Sequence, residues 1–243
     1  MPRVRMSDKK TVLVTGATSG IGRETARLLF SSGYDVLLVG RNEESLAEVS
    51  KETGSSQYIV SDLEITESIK DIFDVLMERG IRLDGMVHAA GYVINVPLRS
   101  CSIEHMEKQM RINYYAFVEL CKQFYKRKVS NDGASIVAVS SLASLTKLKG
   151  SVLYASSKCA MNSAVTIASK EFLSRLIRVN GVMPGYVDTR MTEGLGELID
   201  INEKQPFGLI PPQSVAEVIE FLLSDRSKYI TGALIPVSAG MEF

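Results

Sequence analysis

The chain has 243 residues, 45% of them hydrophobic, which is enough to bury a sizeable core and too apolar for a disordered polypeptide. Lys plus Arg and Asp plus Glu number 28 each, a balance that argues against a nucleic-acid or membrane-surface partner. No apolar run reaches spanning length, so no membrane segment is expected.

The opening ten residues are basic without an apolar signal core. They read as a flexible tail over residues 1–10, with Met6 as an alternative start, ahead of one domain over residues 11–243. Cys101, Cys121 and Cys159 are widely spaced, which fits a reducing cytoplasm better than a disulfide framework. His88 and His105 have no ligand-like spacing to another His or Cys, so no metal site is expected.

Short apolar runs recur at residues 12–14, 36–39, 58–60, 86–88, 136–139, 177–182 and 234–237. Helical stretches lie between them. Ile69, Ile72, Phe73 and Leu76 form one stripe at a period near 3.6, and Val215, Val218, Ile219 and Leu222 form another. Continuous apolar strands alternating with amphipathic helices predict an α/β architecture, a doubly wound parallel sheet of seven strands with helices on both faces. Ligands of such sheets bind beyond the carboxyl ends of the strands. Most chemistry-bearing residues of this chain fall there.

After the first strand, Thr15 leads into Gly16, Thr18, Ser19, Gly20, Ile21 and Gly22, which open a helix. The glycines permit a tight turn and close backbone approach to a pyrophosphate seated on the helix N-terminus. The spacing is Thr-Gly-x-x-x-Gly-x-Gly. After the second strand, the place where an NAD-binding chain carries an acid holds Gly40, with Arg41 beside it. A guanidinium there suits a 2′-phosphate, so NADP(H) is expected over NAD(H).

Asp62 and Leu63 follow the third strand; Asp62 either accepts from an adenine amino group or caps the next helix. After the fourth, His88 precedes Ala89, Ala90 and Gly91, small residues against which a cofactor can lie. Asn113 sits inside a helical stretch from about Ser102 to Arg127, a mildly unfavourable place for an amide. Lys122, Lys126, Arg127 and Lys128 near its end suit the helix dipole.

The fifth strand runs into Ser141, and a helix begins near Val152. Tyr154 and Lys158 then share one helical face, where Ser141 can meet them. A neighbouring ammonium favours phenolate, so Lys158 is expected to lower the Tyr154 pKa. After the sixth strand come Pro184, Gly185, Val187 and Thr189, candidates for the nicotinamide side. Residues 190–208 are rich in Gly and Pro, a composition that suits either a substrate lid or a plain surface excursion.

Together these motifs resemble the classical short-chain dehydrogenase/reductase family from Thr11 to Met241. The residues that carry the resemblance are Thr15-Gly-x-x-x-Gly-Ile-Gly22, Asp62-Leu63, His88-Ala-Ala-Gly91 for the usual Asn-Ala-Ala-Gly, Asn113, Ser141, Tyr154-x-x-x-Lys158 and Pro184-Gly185. It implies a single-domain Rossmann fold and a reductase in which Tyr154 protonates a carbonyl oxygen held by Ser141. Lys158 would bind the nicotinamide ribose, and Asn113 would support a water leading to Lys158. The chain looks most like the 3-oxoacyl-[acyl-carrier-protein] reductase branch. That implies a carbonyl or acyl-thioester substrate and a homotetramer or homodimer. Arg175 falls on a position that branch uses to grip an acidic carrier, whereas the companion position holds Asp132. An alcohol, sugar or steroid dehydrogenase of the same family, and a dinucleotide-binding regulatory protein without turnover, are the alternatives.

Overall fold

The computed structural model describes residues 9–54, 57–193 and 200–243. Most of the expected tail, Met6 included, lies outside the described residues. Seven strands, β1 (Thr11–Thr15), β2 (Asp35–Gly40), β3 (Tyr58–Val60), β4 (Leu83–His88), β5 (Ser130–Val139), β6 (Arg178–Pro184) and β7 (Leu234–Val237), form one sheet in the order β3-β2-β1-β4-β5-β6-β7. Every neighbouring pair is parallel. The helices are α1 (Gly20–Ser31), α2 (Glu43–Thr53), α3 (Ile69–Glu78), α4 (Ile103–Met110), α5 (Ala116–Phe124), α6 (Ala143–Thr146), α7 (Val152–Glu171), α8 (Ile201–Lys204) and α9 (Pro212–Leu223).

Alternation along the strands divides the core in two. Val12, Val14, Val36, Leu38 and Val137 face a cluster closed by Leu29 of α1, Leu46 and Val49 of α2, and Ile219 and Leu222 of α9. Leu13, Leu37, Met86, Ile136 and Val179 face the opposite cluster, closed by Phe73 of α3, Phe117 and Phe124 of α5, and Val165 of α7. A strand buried on both faces must be apolar at successive positions, which is why these runs read as continuous. Both helical stripes point inward: Ile69, Ile72, Phe73 and Leu76 are fully buried, as are Val215, Ile219 and Leu222. Each such side chain contributes about 1.5–3 kcal/mol of burial.

Two boundaries differ from expectation. β5 begins at Ser130, six residues before the apolar run, because Ser130 pairs with Leu83 before the register shifts towards Gly85. The long helix expected from Ser102 is interrupted by a π turn at Arg111–Tyr115 and ends at Phe124, so Lys126, Arg127 and Lys128 follow it rather than cap it.

β1 and β4 are neighbours, with Thr15 beside His88, yet their chains leave to opposite sides of the strand order. That reversal opens a crevice beyond the carboxyl ends of the strands.

Candidate active site

The turn after β1 forms the floor of the crevice. Gly16 has φ +66°, and a Cβ there would lie 2.6 Å from the Ala90 nitrogen, so this backbone and the Ala89–Gly91 loop abut. The Thr15 hydroxyl ties the two loops: it accepts from the Ala90 N–H at 3.3 Å and bonds His88 Nδ1 at 3.0 Å. Ser19 is extended before α1 and its side chain caps nothing. The first-turn N–H groups of α1, lacking partners within the helix, therefore face the crevice at the positive end of the helix dipole.

A Cβ on Gly22 would sit 2.2 Å from the Gly16 carbonyl oxygen. Gly22→Ala must push the turn away from α1, and overpacking of this kind costs about 1–3 kcal/mol. A lower melting temperature and weaker dinucleotide binding are the expected result, read by thermal melting and fluorescence titration. Unchanged affinity would remove the turn from the binding surface.

Of the catalytic and cofactor-binding candidates read from the sequence, all but Asn113 line this single crevice. Gly16, Thr18, Ser19, Gly20, Ile21 and Gly22 form one wall, with Arg41, Asp62 and Leu63 at the far end. Ala89, Ala90 and Gly91 lie in the middle, and Ser141, Tyr154, Lys158, Pro184, Gly185, Val187 and Thr189 lie at the other end. Asn113 is fully buried behind Ile112, which takes its place on the surface of the crevice.

Arg41 is exposed and makes no ion pair or side-chain hydrogen bond among the described residues, whereas Arg23 of α1 is tied to Glu48 and Glu52. Asp62 does not cap a helix: its Oδ1 accepts from the Glu64 N–H at 3.0 Å, and α3 begins only at Ile69.

At the opposite end, Lys158 is 3% exposed and its Nζ donates to the Val139 carbonyl at 2.8 Å. The same Nζ lies 5.8 Å from the centre of the Tyr154 ring. A Cβ on Gly91 would be 3.8 Å from Nζ, so Gly91 lies directly beside the ammonium. Burial pulls the Lys158 pKa from 10.5 down to about 7. Burial also raises the Tyr154 phenol, against a smaller lowering by its hydrogen bond with Ser141. This corrects the expected sign. Desolvation is the largest cause, and the phenol keeps its proton.

His88 is fully buried and neutral, its pKa lowered to about 3 by burial and then by Lys158. Its Nε2 has no partner among the described residues.

The Asn113 side chain is buried beside Gly91, where a Cβ would lie 3.7 Å from its Oδ1. Its Oδ1 accepts from the Tyr92 N–H at 2.8 Å, and its Nδ2 donates to the Tyr92 carbonyl and to Ser157 Oγ, both at 2.9 Å. Both amide hydrogens are thereby used, so this amide donates to no water. Two residues the sequence reading passed over belong to the same network. Ser157 Oγ donates to the Tyr154 carbonyl at 2.8 Å, and Gln109 is fully buried against the same loop. The signal for Gln109 was present: an amide four residues before Asn113, on one helical face.

Arg175 is also corrected. Its side chain is 2% exposed, with Nε on Asp132 at 2.7 Å and Nη2 on the Ser130 carbonyl at 2.7 Å. It locks the start of β5 and presents no charge to a partner.

Of the expected lid, residues 194–199 lie outside the described residues. Its described ends are pinned. Gln205, fully buried, accepts from the Tyr186 N–H at 2.8 Å and donates to the Tyr186 carbonyl at 2.9 Å, and Val187 bridges to Ile210.

Fold and crevice together define a Rossmann-type parallel sheet with a crevice at its strand exits. A family model described as enoyl-(acyl carrier protein) reductase matches residues 16–242. A 3-oxoacyl-[acyl-carrier-protein] reductase FabG of Rickettsia conorii is 33% identical over 96% of both chains. Carbonyl reductase family member 4 of Xenopus laevis is 30% identical over 96% of this chain and 98% of that one. A crystal structure titled short-chain dehydrogenase/reductase, glucose/ribitol dehydrogenase, from Brucella melitensis superposes with a TM-score of 0.90 at 30% identity, covering 96% of this chain and 97% of the other. The chain belongs to the short-chain dehydrogenase/reductase family.

Proposed function

We propose that this protein is an NADPH-dependent carbonyl reductase, with 3-oxoacyl thioesters as the favoured substrate class. The observation that carries the reading is the convergence of Ser141, Tyr154 and Lys158 at one end of the crevice that the glycine turn lines at the other. The residues fit a dinucleotide: a glycine turn packed too tightly for a Cβ at Gly16 or Gly22, an uncapped helix N-terminus, and a guanidinium at Arg41 unpaired among the described residues. The nicotinamide of such a cofactor supplies the hydride.

Tyr154, kept protonated by burial, gives its proton to the substrate oxygen. Ser141, which lines the crevice with Tyr154, holds that oxygen. Lys158, which lines the same crevice, anchors the nicotinamide ribose, and its charge eases the proton off Tyr154. Asn113 acts as a support, joining the Tyr92 loop to the catalytic helix. Arg41 takes the 2′-phosphate by charge-assisted hydrogen bonds.

The thioester class rests on relatives named 3-oxoacyl-[acyl-carrier-protein] reductase at 33% and 30% identity. Exposed Met191 and Phe207 offer apolar surface for an acyl chain. Among the described residues no helix is long and apolar enough to cross a membrane, and a cytoplasmic setting fits the free cysteines. Assembly as a homotetramer or homodimer would cover Ile103, Tyr115, Val118 and Ile167, which are exposed on the outer faces of α4, the π turn, α5 and α7.

The test is oxidation of NADPH and of NADH against a panel of ketones, sugars and 3-oxoacyl thioesters. NADPH is expected to be preferred. Arg41→Asp should weaken NADPH binding by about 10–100-fold, the loss of one charge-assisted contact, and improve NADH use. An unaltered preference would take Arg41 out of the site.

A second reading, a sugar or alcohol dehydrogenase, is favoured by the burial of Arg175, which removes an expected grip on an acidic carrier. Faster turnover of free sugars or alcohols than of thioesters would select it. Dinucleotide binding with no turnover across the panel would select a regulatory protein.

A further inference from the structure

The loop that leaves β4 after Gly91 is held by two amides stacked one helical turn apart. Gln109 of α4 is fully buried, its Oε1 accepting from the Ile94 N–H at 3.0 Å and its Nε2 donating to the Tyr92 carbonyl. Asn113 holds the inner rung at Tyr92, and the Tyr92 carbonyl is shared by both side chains. From Asn113 the network passes through Ser157 Oγ to the carbonyl of Tyr154. Tyr92 itself lines the crevice, with the Lys108 ammonium over its ring and Glu64 beyond.

A buried amide is costly unless its donors and acceptor are met, and here the backbone of Tyr92 and Ile94 meets them. A leucine would fill the same volume at no such risk. What Gln109 adds is direction: a fixed distance between the outer loop and the helix that carries Asn113.

We propose that Gln109 is a positioning residue for the carbonyl reaction, setting the substrate-side loop at Tyr92–Ile94 against the helix of Tyr154 and Lys158. It touches neither the cofactor cradle nor the reacting groups. Its removal should therefore leave dinucleotide affinity intact and act on the carbonyl substrate. The inference rests on the reductase reading for its kinetic part alone.

Two variants test it. Gln109→Leu leaves the Ile94 N–H without its partner, while Asn113 keeps the inner rung. Expected are a loss in carbonyl kcat/KM of about tenfold, the fold-change of one forfeited buried hydrogen bond, and an unchanged NADPH Kd. Gln109→Glu restores both bonds while its carboxyl is protonated and loses the bond to the Tyr92 carbonyl when it ionises. Its kcat/KM relative to wild type should be near one at low pH and fall as pH rises. Lys108, Glu64, His88 and Lys158 are shared by both proteins and cancel in that ratio.

A Gln109→Leu enzyme with wild-type kinetics would overturn the proposal. So would equal losses of cofactor and carbonyl affinity, which mark general damage to the core. If Gln109→Leu does not fold, the pH ratio of Gln109→Glu decides, and a flat ratio overturns it. Amide exchange at Ile94 reads the clamp without turnover: slow in wild type, fast in Gln109→Leu. If wild type reduced no carbonyl, the reductase reading would fail, and Ile94 exchange alone would decide the clamp. Fast exchange at Ile94 in wild type would sink the clamp itself.

Discussion

Tyr154→Phe is expected to reduce carbonyl turnover by about 10²–10⁴-fold while leaving NADPH affinity within a few-fold of wild type. The substitution keeps the ring on the face of α7 that lines the crevice and deletes one oxygen. Burial holds that oxygen in its protonated form: desolvation raises the phenol, and the Ser141 hydroxyl only partly opposes it. Lys158 keeps one of its three Nζ hydrogens on the Val139 carbonyl on the strand side. The loss should fall on kcat and kcat/KM alike, as for an interaction made in the transition state. Stability should change by only about 1 kcal/mol, the worth of a single hydroxyl hydrogen bond. A phenylalanine enzyme reducing ketones at the wild-type rate would assign the proton to another group.

Periodicity and strand–helix alternation were enough to read the architecture, because a sheet buried on both faces forces unbroken apolar runs at residues 12–14, 36–39 and 136–139. The crevice was equally legible, since the topology gathers the strand exits at one edge and most of the candidate residues follow strands, Asn113, Tyr154 and Lys158 being on helical segments. Three things were not. The π turn at Arg111–Tyr115 has no composition of its own; it arises where Asn113 must reach the Tyr92 backbone from inside a helix. The depth of Arg175 was hidden because a cation at a helix end reads as solvated, and its partners Ser130 and Asp132 are more than forty residues away in the chain. The sign of the Tyr154 shift was missed because proximity of Lys158 is a local fact, whereas desolvation depends on every element packed around the pair.

Lys158→Met separates the two roles that burial imposes on one ammonium. Turnover should fall by about 10²-fold or more, since both the ribose anchor and the charge that eases the Tyr154 proton are lost. Stability of the cofactor-free protein should move the other way. The Lys158 pKa is lowered on folding from 10.5 to about 7, so the unfolded chain binds the extra proton between those values. Stability conferred at this site therefore rises with pH across that window, and the full penalty for the buried cation is present below about pH 7. That penalty is on the order of a few kcal/mol, and the Val139 carbonyl left without its donor returns about 1–3 kcal/mol of it. The neighbouring titratable groups do not cancel the effect: His88 is neutral over the whole range, and Tyr154 is held protonated. The methionine variant should melt above wild type near about pH 6, with the gain shrinking towards about pH 10. A variant that melts below wild type at low pH, or by an amount independent of pH, would mean that the ammonium is not desolvated in the free protein. The strain that burial places on Lys158 would then be absent, and with it the reason for the pair to wait on an anionic cofactor.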